Sequence, residues 1–278
     1  MSSVAHVRIH ATQFPETVRR DLFDSLRRRQ VNHKFHYDSV RQTQQWLTLH
    51  QAWSPSRRDA DCAAIYNRSF AAAAQSIPSG SVHVIGLGCG GGRKDARLLK
   101  WLKAGGRRLF YTPCDVSTAM VLVARRTALA VVSEANCFPL VCDLATARDL
   151  PAVFDQLPPL RTPRLLTFFG MIPNFEPETI LPKLAALVRR RDFLLFSANL
   201  APGKNYAVGS GYRDFSLIWQ GCSPGPAQMA PPLLRRGPAP GSGEFPGLLV
   251  LLLQGLRKQQ LFVQARDCRR PRGLPGWD

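Results

Sequence analysis

Between Ser81 and about Leu200, short apolar runs alternate with stretches that place apolar residues at helical spacing. Val82-His83-Val84-Ile85 leads into Gly86-Leu87-Gly88-Cys89-Gly90-Gly91-Gly92, after which Leu98, Leu99 and Leu102 share one helical face. That order predicts strand, tight turn and helix. Arg108 to Asp115 predicts a second strand, Cys137 to Leu144 a third, Pro163 to Phe169 a fourth and Asp192 to Leu200 a fifth. A helix is expected from Glu178 to Arg190. Strands alternating with helices predict an α/β, Rossmann-like fold.

The first 80 residues have a different rhythm. Val18, Leu22, Phe23 and Leu26 predict one helix, Gln45 to Leu49 a second, and Asp61 to Ala74 a third with Ile65, Tyr66 and Phe70 on one face. Trp53-Ser54-Pro55-Ser56-Arg57 is expected to break the chain. The expected organisation is an N-terminal helical cap over 1–80, a cofactor-binding sheet domain over 81–205 and an irregular C-terminal tail over 206–278. The tail from residue 201 onward holds 12 of the 21 glycines and 10 of the 22 prolines. Its apolar run Leu248 to Leu253 lacks the period of an amphipathic helix. Two readings of the tail stand: a divergent or disordered extension, or a reading frame shifted after about Gly209.

Composition narrows the class. A chain of 278 residues with 45% hydrophobic content can bury a substantial core. No stretch approaches the ~20 apolar residues of a membrane span, and the N-terminus lacks a signal-peptide pattern. A cytoplasmic protein is expected, and a monomer. The seven cysteines are scattered without metal-ligand spacing, as reduced thiols would be. A net charge of +18 admits a polyanionic partner. The arginines, however, come in runs such as Arg27-Arg28-Arg29 without interleaved aromatics, so nucleic acid is not the favoured partner.

The candidate chemistry sits at the ends of the predicted strands, where open α/β sheets bind ligands. A glycine turn lets a ligand approach the backbone at the start of a helix, although it also serves as a plain turn. Asp115 stands where a carboxylate accepts hydrogen bonds from both ribose hydroxyls, or where it caps the following helix. Asp143, followed by apolar Leu144, suits an adenine amine and ring, or again a cap. Asn174 orients an amine through its carbonyl oxygen or caps the helix from Glu178. Tyr37 is a ligand contact or a packed aromatic. His33 and His36 have no second ligand at helical spacing. Acidic and amide strand ends, together with a cap before the glycine loop, favour S-adenosylmethionine over a dinucleotide.

Taken together, several pieces resemble the histidine-specific S-adenosylmethionine-dependent methyltransferase family. They are Lys34-Phe35-His36-Tyr37-Asp38, Gly88-Cys89-Gly90 with Lys94 and Leu98-Leu99, Tyr111-Thr112-Pro113-Cys114-Asp115-Val116-Ser117, Asp143, and Phe169-Gly170 through Asn174-Phe175-Glu176-Pro177. The family's best-known member trimethylates the α-amine of L-histidine. The resemblance implies a class I methyltransferase sheet, with Tyr37, Gly88, Gly90, Lys94, Asp115, Val116, Asp143 and Leu144 around the cofactor. Lys94 would lie near the methionine carboxylate. Gly170, Asn174 and Trp53 would face the acceptor, with Asn174 and Tyr37 in the catalytic roles. The chain departs from the family where paired tyrosines precede Pro-Thr-Arg, since it has Trp53-Ser54-Pro55-Ser56-Arg57. The family's substrate-reading residues are not found in the tail. The expected acceptor is therefore the amine of a small amino-acid-like molecule, histidine or a related amine. The alternatives are a basic RNA-binding protein or RNA methyltransferase, and an inactive methyltransferase-like scaffold.

Overall fold

Alternate residues of the apolar runs face opposite sides of one sheet, as the period of an extended chain requires. The computed structural model describes residues 4–159, 161–199, 248–255 and 261–264. In chain order the strands are β1 (Arg8–Ile9), β2 (Ser81–Leu87), β3 (Arg108–Asp115), β4 (Leu140–Val141), β5 (Arg164–Phe169), β6 (Phe193–Asn199), β7 (Leu248–Gly255) and β8 (Leu261–Gln264). Their order across the sheet is β1-β4-β3-β2-β5-β6-β7-β8. The strands from β1 to β6 pair in parallel, and β7 and β8 are antiparallel. The α/β, Rossmann-like sheet expected from the periodicity is present, with β2 at its centre.

Each face of the sheet has its own core. Val82, Val84, Leu165 and Leu195 pack with Phe70 of α4 (Ala60–Ser76) and Leu98 of α5 (Arg93–Ala104). Ile85, Leu87, Leu166 and Leu194 pack on the other side with Phe154 of α7 (Leu150–Asp155) and Leu184 of α8 (Pro177–Leu187). Helices on both faces explain why these strands are apolar nearly throughout.

The N-terminal segment folds over the strand ends as α1 (Pro15–Arg28), a 3₁₀ turn at His33–His36, α2 (Val40–Trp53), α3 (Pro55–Arg58) and α4. Ser39 starts α2 with a capping box: its hydroxyl accepts from the Gln42 N–H at 3.1 Å, and Gln42 Oε1 accepts from the Ser39 N–H at 2.9 Å. Asp59 caps α4 by accepting from the Cys62 N–H at 2.6 Å.

Four expectations need revision. The break at Trp53–Arg57 is confined to Ser54, because Pro55 opens a new helical turn at a position that needs no N–H donor. The third strand shrinks to Leu140–Val141, next to Pro139, which cannot donate to a ladder. Helix α8 stops at Leu187, short of Arg190. The first 80 residues are not wholly cap, since Arg8–Ile9 pairs with β4. In the tail, the run beginning at Leu248 is a strand whose register places Leu248 opposite Asn199 and Gln254 opposite Phe193. The two readings of the remaining tail fall on residues outside the described ones. Among the described residues, no helix is long and apolar enough to cross a membrane.

Candidate functional site

A cleft of about 1070 Å³ opens at the C-terminal ends of β2, β3, β4 and β5, between the sheet and the cap. Its floor is the glycine loop after β2. Gly88, Gly90 and Gly92 have φ of 61°, 50° and 70°. Gly92 is irreplaceable on two counts, because a Cβ there would meet Ala124 Cα at 2.7 Å as well as carry a left-handed φ. No side chain caps α5 at Gly92, so the free end of that helix favours an anion. Gly86 makes room beneath the loop for Asp95, whose Oδ2 would lie 2.1 Å from a Cβ on it. That buried carboxylate accepts from Tyr111 OH at 2.8 Å and Thr167 Oγ1 at 2.7 Å, tying α5, β3 and β5 together. Burial pushes Asp95 up to about 6.

Asp115 ends β3 and is buried on the cleft wall. Its Oδ2 accepts from the Gly90 N–H at 2.9 Å and its Oδ1 from the Ser117 N–H at 3.1 Å. Burial raises its pKa, against these backbone hydrogen bonds. The hydroxyl of Ser117 caps α6 (Thr118–Ala128), so the helix-cap alternative for Asp115 fails. The Val116 N–H is a third backbone partner, and since the two carboxylate oxygens together offer about four acceptor sites, one is left for a ligand. Asp143 does not cap α7 either, since the residue before α7 is Asp149. The Asp143 Oδ1 accepts from the Ala145 N–H at 2.9 Å, and its Oδ2 faces Lys34 Nζ at 3.5 Å. Val116 and Leu144, beside these two carboxylates, also line the cleft.

The opposite wall begins at Gly170, which has φ 72° and donates its N–H to the Ser197 carbonyl at 3.1 Å. Lys94 bridges the two walls, with its Nζ 5.0 Å from the Tyr66 ring centroid and 3.7 Å from where a Cβ on Gly170 would stand. Asn174 closes a 3₁₀ turn (Ile172–Asn174), is exposed and lines the cleft, and its Nδ2 lies 3.7 Å from Met171 Sδ. Glu176 occupies the cap position of α8, so Asn174 is not that helix's cap. Tyr37 lines the cleft with its ring edge-on to Trp46, and burial, then Asp115, raises its phenol pKa.

Trp53 is the exception among the expected site residues. It ends α2 with 77% of its surface exposed and does not line the cleft. The helical turn of α3 begins two residues later and carries the chain onward with Trp53 outside. In its place α2 supplies Trp46, stacked on His50 at 4.8 Å between ring centroids. Burial pushes His50 down to about 4, helped by Lys94, Arg57 and Arg93. Among the described residues, none of those three cations is in an ion pair. Spacing gave no signal for this cationic end, because its members come from α2, α3 and α5.

An open parallel sheet with a glycine turn after its central strand and carboxylates closing the next two strands is a Rossmann-like protein with a nucleotide-type cofactor site. More specifically, the chain belongs to the family of histidine-specific, S-adenosylmethionine-dependent methyltransferases, whose model matches residues 18–215. A comparison with curated proteins returned no match. Among solved structures, the chain is similar to M. capricolum TrmK in complex with S-adenosylhomocysteine, at 14% identity and a TM-score of 0.32 over 49% of this chain and 51% of that one. It is also similar to a Geobacter sulfurreducens S-adenosylmethionine-dependent methyltransferase in complex with S-adenosylhomocysteine, at 17% identity and a TM-score of 0.34 over 50% and 51%. A third is a Thiobacillus denitrificans S-adenosylmethionine-dependent methyltransferase in the same kind of complex, at 19% identity and a TM-score of 0.32 over 47% of each chain. The chain thus spans about half the length of these structures.

Proposed function

We propose that this chain transfers a methyl group from S-adenosylmethionine to the amine of a small amino-acid-like acceptor. One observation carries the reading: Asp115, held by backbone N–H groups of the glycine loop and the start of α6, lines the same cleft as Asn174. The residues present fit the cofactor. Asp115 suits a vicinal diol, Asp143 an exocyclic amine, and Lys94 beside the uncapped start of α5 a carboxylate.

When bound, S-adenosylmethionine supplies an electrophilic sulfonium methyl. The chain's part is to position and orient, so no nucleophilic side chain is required. Asn174 would accept an N–H of the acceptor amine and aim its lone pair. Asn174 would hold the amine while the amine nitrogen takes the methyl from the cofactor, whose sulfur keeps the electron pair of the broken bond, and the amine proton would leave to solvent. The raised pKa of Tyr37 keeps its phenol protonated, so it serves as a hydrogen-bonding partner in place of a base. Arg57 and Arg93, which are in no ion pair among the described residues, suit the carboxylate of an amino-acid-like acceptor.

Calorimetry is expected to show S-adenosylhomocysteine binding, weakened on the order of a hundredfold in Asp115→Ala, since a ligand's charged hydrogen bonds are lost. Folded protein that binds none would overturn the cofactor reading. Labelled cofactor with a pool of small amines, read by mass spectrometry, then tests the acceptor class. Binding without transfer to any amine would leave an inactive scaffold.

A further inference from the structure

Asp143 is fastened by the N-terminal segment on two sides. Its backbone N–H donates to Thr12 Oγ1 at 3.1 Å, and its Oδ2 accepts from Lys34 Nζ at 3.5 Å. Lys34 lies in the 3₁₀ turn between α1 and α2 and is only 3% exposed. The same ammonium donates to Asp21 Oδ2 of α1 at 2.6 Å. Lysine is almost never buried this far unless paired, and here one cation sits between two carboxylates. Asp143 lines the cleft, whereas Lys34 and Asp21 do not. A line of charge therefore runs from α1 to the cleft wall.

We propose that Lys34 is a positioning residue that aims the Asp143 carboxylate at the base of the cofactor and, through Asp21, couples docking of the cap to cofactor binding. The inference rests on the S-adenosylmethionine reading, in which the exocyclic amine of adenine donates to Asp143. Lys34 and the Ala145 N–H occupy one acceptor site on each oxygen, which leaves one on each for that amine. An ionised carboxylate only accepts, so it selects an amino group over a carbonyl oxygen at that position of the base. Lys183 also lies within electrostatic reach of Asp143, but Lys34 is the ammonium that meets its Oδ2, and without Lys34 that oxygen loses its side-chain tether. The aim that separates an amine from a carbonyl oxygen is lost with that tether.

The test compares S-adenosylhomocysteine with S-inosylhomocysteine, which carries a carbonyl oxygen in place of the amine, by calorimetry on the full chain. The wild type is expected to prefer the adenosyl compound by about tenfold or more, as for a hydrogen bond to a charged group. Lys34→Met should reduce that preference to near unity, and Lys34→Arg should restore most of it. A Lys34→Met protein that binds both compounds more weakly by the same factor would overturn the inference, as would a wild type without preference. If Lys34→Met does not fold, hydrogen exchange on the wild type decides. Cofactor-product binding should slow exchange in the α1 backbone around Asp21, which does not line the cleft, and unchanged exchange there would overturn the coupling. No binding of S-adenosylhomocysteine by folded wild type would instead strike the cofactor reading itself.

Discussion

Asp115 and Asn174 face one cleft and are held in unlike ways. Asp115 is 8% exposed, with both oxygens fixed by backbone N–H groups of the glycine loop and the start of α6. Asn174 is exposed on a single 3₁₀ turn, and its amide meets a thioether. Beneath the cofactor end lie the Asp95–Tyr111–Thr167 network and His83 bonded to Thr112. Beside the proposed acceptor end lie Arg57 of α3 and Arg93 of α5, which are in no ion pair among the described residues. A group aimed by the fold's own turns keeps its aim for as long as the sheet is folded. One on an exposed turn takes its aim from what docks against it. Changes at the first end should therefore register as stability, and changes at the second as turnover.

The strongest probe of that contrast is Gly92→Ala. A left-handed φ and a 2.7 Å approach to Ala124 Cα should cost about 3 kcal/mol in a urea melt. A variant as stable as the wild type would show that the loop is not built into the core.

Next in size is His83→Gln. Burial pushes His83 down to about 3 from 6.5, so its contribution is fully present above pH 6.5 and is lost as pH falls towards 3. Asp95, raised to about 6, works in the opposite sense, contributing below 3.8 and losing that contribution as pH rises through 6. Comparing variant with wild type isolates the histidine. The loss of stability between pH 7 and about pH 5 should shrink by about 2 kcal/mol in His83→Gln.

At the acceptor end, Asn174→Ala should slow methyl transfer on the order of tenfold, with the melting temperature and S-adenosylhomocysteine affinity unchanged. A parallel loss of cofactor affinity would erase the proposed division of the cleft. The smallest effect is expected from Arg57→Gln, a rise of about threefold in the KM of a carboxylate-bearing acceptor with kcat retained, since Arg57 is only partly buried.

Much of the frame was legible because its signals are local. The run ending at Leu87 and the glycines after it, and the run ending at Asp115, declare strand, turn and carboxylate within a dozen residues. Gly88, Lys94, Asp115, Asp143 and Asn174 do share one cleft. What escaped depends on residues distant in sequence. Nothing near Lys34 announces a partner 109 positions away, and Asp95 is a strut only because Tyr111 and Thr167 come to meet it. Trp53 was expected in the site because it stands where the family has paired tyrosines, and the structure places it at the exposed end of α2, since Pro55 suits the first turn of a new helix. The third strand looked long because Pro139 sits among strand formers.

The pairing of Arg8–Ile9 with Leu140–Val141 also has a temporal consequence. On the ribosome Thr12 emerges before Asp143, and it must wait for that partner 131 residues further along the chain. Contacts so far apart carry a large loop-closure cost and form late. Residues made before Asp143 are therefore among the last to find their place, and the Asp143 corner of the cleft is completed only when they do.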